Sequence, residues 1–335
     1  MKNNTKSPQR ILVVKPSSLG DVIHALPVVS AINNHWPEAE VRWLVQPAWR
    51  SLVEHHPGVS GTVLFPREKF RGVGGWIRSL AWMRTLSDWK PDLAIDLQGL
   101  LRSALFARLS GAPRVVGLSD AREGARLFYS EQAAVKRTDH AVNRYLSVLD
   151  LLGAPRPASP EFKIPEGELP QGFSPSPSYV VIHPYARGVG KNLAPDLIES
   201  FALGAAPHRV VIVGRGNSGV NRAPWPENVE DWSNRTDLLE LTAILREASF
   251  IISTDSGPMH LATALQPSKT MAIHLWSDPL KVGPCMGESL VWKNGRISGV
   301  RDLDDSWRAA GKAPTTMEMR ELGRIANRKT MQSEG

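Results

Sequence analysis

At 335 residues, 42% of them apolar, the chain is long enough to build two packed cores of about 150 residues each. Its single cysteine, Cys285, excludes an internal disulfide framework and any cluster of cysteine metal ligands. The formal charge of +7 favours anionic partners, and residues 67–126 carry much of the excess, with 11 Lys/Arg against 6 Asp/Glu.

Residues 1–9 are a polar tail, and the next apolar run is too short for a signal peptide or a membrane span. A cytoplasmic protein is expected, with attachment to a membrane surface left open. Ile11 to Val14 show no polar alternation and read as a buried parallel strand. Lys15 to Gly20 are turn formers, and Asp21 then opens an apolar run with helical spacing at Val22, Leu26 and Val29. Val41–Val45 and Gly61–Phe65 are further short strands, with a short helix between them at Trp49–His56. Arg67 to Gly75 is basic and Gly-rich, hence a loop, and Trp76 to Leu86 is an amphipathic helix. Asp92–Gln98 is the next strand, followed by a helix over Leu101–Leu109, a strand at Arg114–Gly117 and a helix over His140–Leu152.

From Gly153 to Ser178 the composition changes to seven prolines and no long apolar period, the mark of a linker. The α/β pattern then restarts. Strands are expected at Tyr179–His183, Arg209–Val213, Phe250–Ser253 and Thr270–His274. Helices are expected at Pro195–Gly204, at Leu238–Glu247 and after Asp255. The tail from Arg320 reads as helical at first and frayed beyond. Two such sets imply two Rossmann-like domains, 1–160 and 179–335, joined by a linker at 161–178.

Several residues carry chemistry at the ends of these strands. Ser17, Ser18, Gly20 and Asp21 follow the first strand, at the sheet edge where open α/β folds place their sites. Asp21 reads as a helix-capping carboxylate or as a general base held at that edge. Thr254, Asp255, Ser256, Gly257 and His260 lie where a strand enters a helix, a place suited to phosphate. The alternative for His260 is a semi-buried helix histidine. Arg187 and Lys191 suit a diphosphate or a solvated face, and Arg67, Lys69 and Arg71 invite the same two readings. The chain lacks His-Glu-x-x-His, Gly-x-Ser-x-Gly, a Walker A lysine and a Gly-x-Gly-x-x-Gly fingerprint. No metal site is expected, and the scattered tryptophans form no nucleic-acid platform.

The segments VKPSSLGDVIHALP (14–27), AIDLQGLLRSA (94–104), DAREGARLFY (120–129), DHAVNRYLSVLDLLG (139–153) and STDSGPMHLATAL (253–265) occur in an informative order. Together they resemble the ADP-heptose:lipopolysaccharide heptosyltransferases, and most closely the enzyme that adds the first heptose to Kdo. The resemblance implies a GT-B fold: α/β, with two Rossmann-like domains whose parallel sheets face each other across a cleft. It implies Asp21 as general base, with Ser18 and Gly20 beside it. Arg187, Lys191, Thr254 to Gly257 and His260 would hold the donor diphosphate. Arg122, Arg67 and Arg71 would face an anionic lipid-linked acceptor of the Kdo-lipid A type. The reaction implied is inverting, metal-independent transfer from ADP-heptose without a cofactor, with peripheral contact to the inner membrane.

Three departures from the pattern bear on the donor. GRGNSG (214–219) has Ser218 near the usual ribose-binding glutamate. Asn192-Leu193-Ala194-Pro195 replaces the usual His-Trp-Pro, and Trp276-Ser277-Asp278-Pro279 is a loose form of Gly-Pro-Thr-Asp-Pro. Transfer from another nucleotide sugar or to another acceptor remains an alternative, as do an epimerase of the same fold and a non-catalytic nucleotide- or polyanion-binding module.

Overall fold

Runs of Val, Ile and Leu without polar alternation become interior parallel strands in both halves of the chain. The structure is a computed structural model and describes residues 7–65, 82–188, 191–216 and 224–334. The chain divides into compact units at Met1–Ile164 and Pro165–Gly335, each organised around its own sheet. This is a two-unit α/β fold of mainly parallel sheets, consistent with GT-B architecture.

In the first unit, β1 (Arg10–Val14) is central and pairs with β2 (Glu40–Val45) and β4 (Leu93–Asp96). With β3 (Gly61–Leu64), β5 (Arg114–Leu118) and β6 (Glu131–Ala133) the order is β3-β2-β1-β4-β5-β6, all parallel. Parallel pairing puts the carboxyl ends of β1, β4 and β5 on one edge, neighbouring strands about 4.8 Å apart. Helix α1 (Leu19–His35) leaves β1, α2 (Arg50–Glu54) follows β2, and α3 (Leu101–Leu109) follows β4. The chain then passes to α4 (Ala141–Leu146), which packs on α1, and α5 (Val148–Leu152). The core under α3 gathers Leu12, Val14, Ala94, Phe106 and Tyr129. There Phe65, Trp82 and Phe106 meet with ring centroids 5.1–5.7 Å apart.

The second unit has β7 (Tyr179–His183), β8 (Arg209–Ile212), β9 (Val229–Asp231), β10 (Phe250–Thr254), β11 (Thr270–Ile273), β12 (Leu290–Lys293) and β13 (Arg296–Gly299). Their order is β13-β12-β11-β10-β7-β8-β9, and only the β12–β13 pair is antiparallel. Its helices are α6 (Pro195–Ala205), α7 (Leu238–Glu247), α8 (Gly257–Leu265), α9 (Pro279–Val282) and α10 (Thr316–Glu334). Helix α10 packs on α6 and sends Met319, Leu322 and Ala326 into the core. Gly204 and Gly323 permit that approach, since a Cβ on either would lie 2.1–2.2 Å from a carbonyl oxygen of the facing helix.

Several local expectations change. Helix α1 starts at Leu19, so Gly20 lies in its first turn. The helix expected over His140–Leu152 breaks at Ser147 into α4 and α5. The strands β6, β9, β12 and β13 have no counterpart in the sequence reading; β6 (EQA), β9 (VED) and β13 (RISG) are too polar to present an apolar run. The C-terminal tail stays helical to Glu334, with Leu322 and Ala326 buried where it packs on α6. The loop expected at Arg67–Gly75 and the start of the following helix lie outside the described residues, and residues 82–88 are helical.

Candidate active site

At the carboxyl edge of the first sheet, Ser18 is the residue before α1 and Asp21 is three places on, in the first turn. The Asp21 carboxylate reaches back and accepts from the Ser18 N–H (3.1 Å) and Oγ (2.8 Å), both on Oδ2. Its other oxygen, Oδ1, accepts from the Tyr145 hydroxyl of α4 at 3.0 Å. The side chain is nevertheless 41% exposed, so a carboxylate fixed on both oxygens keeps an open face. The helix-capping reading and the general-base reading thus describe the same atoms: the bonds that cap the turn also aim the carboxylate.

Lys15, the residue after β1, supplies a counter-charge. It is buried, and Nζ donates to Leu97 O (3.0 Å) and the Tyr145 hydroxyl (2.8 Å), with Asp21 Oδ1 3.8 Å away. Partial burial of Asp21 opposes ionisation. The Lys15 charge and the bonds from Ser18 and Tyr145 outweigh it and hold the carboxyl below the usual carboxylate range. Burial lowers Lys15 from the usual lysine value, with Asp21 and Asp96 pulling the other way. Burial, reinforced by the Asp21 charge, raises Tyr145 well above the usual phenol value, so its hydroxyl stays protonated as a donor.

Next along the edge, Asp96 ends β4 fully buried. It accepts from Gln98 N, Gly99 N, Ser103 Oγ and Tyr129 Oη at 2.7–3.2 Å. Burial raises its pKa although those four donors favour the anion. These bonds tie the loop after β4 to the loop after β5, where Arg122 N donates to Gly99 O at 2.8 Å and the Arg122 side chain is exposed. Arg144 pairs with Asp120 and fastens the second loop to α4 beside Tyr145. Arg67 and Arg71 lie outside the described residues.

In the second unit Lys191, Thr254 and Asp255 line one pocket together with Ala186, Ile273, Leu275, Trp276 and Ser277. Arg187 is exposed and outside that lining, and His260 is buried in the first turns of α8. Ser256 is the residue before α8 and Gly257 its first. The Thr254 hydroxyl donates to Tyr185 O at 2.8 Å, so its proton is committed to the backbone. His183, at the end of β7, is pushed down to about 3 by burial and is neutral; its Nδ1 lies 3.2 Å from both Ser253 Oγ and Ser256 Oγ. Its ring needs Gly214, where φ is +112° and a Cβ would sit 2.3 Å from His183 Cδ2.

The opposite wall is equally fixed. Lys293 is buried and donates to Ser277 O (2.8 Å) and Trp307 O (2.9 Å), while His274 Nδ1 meets Ser277 Oγ at 2.8 Å. Asp278 caps α9 at Leu280 N and pairs with Arg308. Trp276 extends from this braced segment, half-exposed. A pocket lined by a cation and an indole, next to the strand-to-helix turn at Asp255, suits a group with an anionic end and a ring.

The sequence reading missed Lys15, Tyr145, Asp96, His183 and Lys293. Lys15 carried a signal, since a lysine directly after a fully apolar strand must be buried or leave the sheet. Tyr145 was read as one apolar position of a helix, and its hydroxyl was the overlooked feature. Among the described residues no group of three or more His, Cys, Asp or Glu is arranged to hold a metal ion, and no helix is long and apolar enough to cross a membrane.

The family model for Glycosyltransferase family 9 (heptosyltransferase) matches residues 79–196 and 207–297. The lipopolysaccharide core heptosyltransferase OpsX of Haemophilus influenzae is 22% identical over 295 residues, 84% of this chain and 83% of that protein. Lipopolysaccharide heptosyltransferase 1 of Pseudomonas aeruginosa is 28% identical over 322 residues, 85% of this chain and 88% of that one. The structure of the E. coli heptosyltransferase WaaC with ADP-2-deoxy-2-fluoro heptose has the same fold, with a TM-score of 0.72 at 21% identity, covering 98% of this chain and 100% of that one.

Proposed function

This chain belongs to glycosyltransferase family 9, the heptosyltransferases, and from that premise we propose that it moves a heptose from ADP-heptose to the Kdo residue of a lipopolysaccharide inner core. The reading rests on one observation above all, the half-exposed Asp21 carboxylate fixed by Ser18 and Tyr145 beside the buried Lys15. An acceptor hydroxyl on its open face would lose its proton to Asp21 as the oxygen attacks the anomeric carbon. The bond to the ADP oxygen breaks in the same step, with inversion, and no enzymic nucleophile is required. A carboxylate held at low pKa is always ready to accept, and the proton moves late, once the developing bond has made the hydroxyl acidic.

The leaving diphosphate gains charge as the sugar departs. Lys191 and the backbone amides at the start of α8 are the groups proposed to stabilise it, with Asp255 and His260 ordering that loop. Arg122 is proposed to meet the anionic acceptor, since it stands exposed on a loop tied to the same sheet edge as Asp21. Asp21→Asn keeps the shape and removes the base. Transfer falls on the order of 10²–10⁴-fold while ADP binding is retained; near-normal transfer would remove Asp21 from this role.

Trp276 on the pocket wall favours a second reading, in which the same chemistry uses a different nucleotide sugar. Assaying ADP-, GDP- and UDP-linked sugars against Kdo-terminated and heptose-terminated acceptors separates the two.

A further inference from the structure

Leu127 is 87% exposed, the most exposed large apolar side chain among the described residues. It sits in a single helical turn (Ala125–Phe128) of the loop after β5, and that loop is not loose. Tyr129 anchors it to Asp96, Arg122 N to Gly99 O, and Arg126 Nε donates to Gln132 Oε1 at 3.0 Å. Helix α3 packs beside this turn and carries two more exposed leucines, Leu101 at 39% and Leu109 at 48%. Eight residues apart, they stand at the two ends of the helix, about 12 Å apart along it and about 80° apart around it, within one broad side. Arg102 and Arg108 adjoin the two leucines in α3, Arg126 adjoins Leu127 and Arg122 lies on the same loop, all four exposed; Glu123 is the one exposed acidic side chain of this loop and receives the Leu101 N–H at 3.3 Å.

Isolated exposed leucines need no explanation, but a braced apolar tip bordered by four arginines has the composition of a surface for anionic bilayers. Its place in the fold adds a second argument. The loop leaves the carboxyl end of β5, two strands or about 10 Å from the end of β1 that leads to Asp21. Arg122 is tied there to Gly99 O before the chain crosses back through the Leu127 turn to β6. We propose that Leu127, with the leucines and arginines of α3 and its loop, docks the first unit on an anionic membrane surface. Asp21 is thereby brought to a hydroxyl that stands just above the lipid headgroups. The inference rests on the proposed lipid-linked acceptor and goes beyond it by naming the surface that meets the lipid. The arginines attract the headgroups over the screening distance and the leucines enter the interface.

The test is co-sedimentation of the full chain with phosphatidylglycerol/phosphatidylethanolamine vesicles and with phosphatidylcholine vesicles, at low and high salt. Transfer to a water-soluble, deacylated Kdo-terminated acceptor is followed in parallel. Wild type binds the anionic vesicles and is largely released by high salt. Leu127→Asp and Leu109→Asp each lower vesicle binding about tenfold, and Leu127→Trp raises it. All three keep the wild-type melting temperature and the rate on the soluble acceptor. Vesicle binding that is absent, or unaltered in the three variants, overturns the proposal. So does a wild type that binds no vesicles but loses a dimer in Leu127→Asp, which would make the patch a self-association surface. Patch-dependent vesicle binding by a protein that transfers no sugar would refute the acceptor reading and leave the docking surface standing.

Discussion

Lys15 Nζ lies 3.8 Å from Asp21 Oδ1, and the Tyr145 hydroxyl spans the same gap, accepting from Lys15 at 2.8 Å and donating to Asp21 at 3.0 Å. The cation therefore acts on the carboxylate both through space and through a buried donor. Such a network sets how far into acid the carboxylate stays ionised.

Lys15→Met keeps much of the length and removes the charge. With Asp21 in the proposed role of base, activity would need its ionised form, whose pKa the wild type holds below the usual range, so wild-type kcat/KM is expected to persist into acid. In the variant the acid limb moves to higher pH, and the neutral-pH rate falls about tenfold as the carboxylate loses its orientation. Tyr145→Phe moves the limb in the same direction by less, because the direct contact to Lys15 survives. Full pH–rate profiles of both variants check this, and coincident acid limbs would separate Lys15 from the base.

Lys191 is the cation of the second-unit pocket, and the pocket wall at Leu275–Ser277 is braced independently by Lys293. Lys191→Ala should weaken ADP binding at least tenfold in calorimetry without unfolding the wall, a loss typical of a charge-assisted phosphate contact. Excess EDTA should leave wild-type affinity and rate unchanged. Activity lost on chelation and restored by a divalent ion would transfer the charge-neutralising role from Lys191 to a metal.

The strands that hold these residues were legible because each is a short, uniformly apolar run ended by turn formers, as at Ile11–Val14 and Tyr179–His183. Asp21 was legible for the same reason: a lone carboxylate just past such a run has few places to go except the sheet edge. What periodicity hides is the partner that arrives from far along the chain. Tyr145 reaches Asp21 across 124 residues and looked like one more apolar position of its helix, while Tyr129, which reaches Asp96 across 33, belonged to no element the sequence marked. The edge strands β9 and β13 were hidden differently, since residues such as Glu230 and Arg296 gain strand geometry only from the neighbour they pair with.

Helix α10 was expected only in part, as a helical start that frays beyond, and its packing against α6 is testable. A Cβ at Gly323 would lie 2.2 Å from Phe201 O and 2.8 Å from Ala205 N, both backbone atoms that cannot rotate away. Gly323→Ala gains helix propensity worth about 1 kcal/mol but must separate α10 from α6, and overpacking of this kind costs about 1–3 kcal/mol or more. The net expectation is a destabilised second unit, read as a lower denaturant midpoint with the slope unchanged. A midpoint equal to or above that of wild type would show that the two helices can part at little cost.

The last expectation concerns acid stability. His56 is buried, 3.1 Å from Ser30 Oγ, and its Nδ1 accepts from Gly58 N at 3.1 Å. Burial first, and the charge of Lys163 second, push it down to about 4 from the ordinary 6.5. The folded chain thus keeps this ring neutral while the unfolded chain takes up a proton below about pH 6.5. As pH falls the unfolded state binds more protons, so stability declines between pH 6.5 and 4 and levels off once the folded ring is also charged. A shift of this size corresponds to roughly 3 kcal/mol at the acid end. Urea unfolding of wild type and His56→Gln at pH 7 and pH 4.5 isolates the contribution, because the other buried histidines titrate equally in both proteins. The variant is expected to be less stable at pH 7 and to lose roughly 2 kcal/mol less on acidification. Parallel losses in the two proteins would mean that the folded His56 takes up its proton over the same pH range as the unfolded one, giving up its acceptance from Gly58 N without cost.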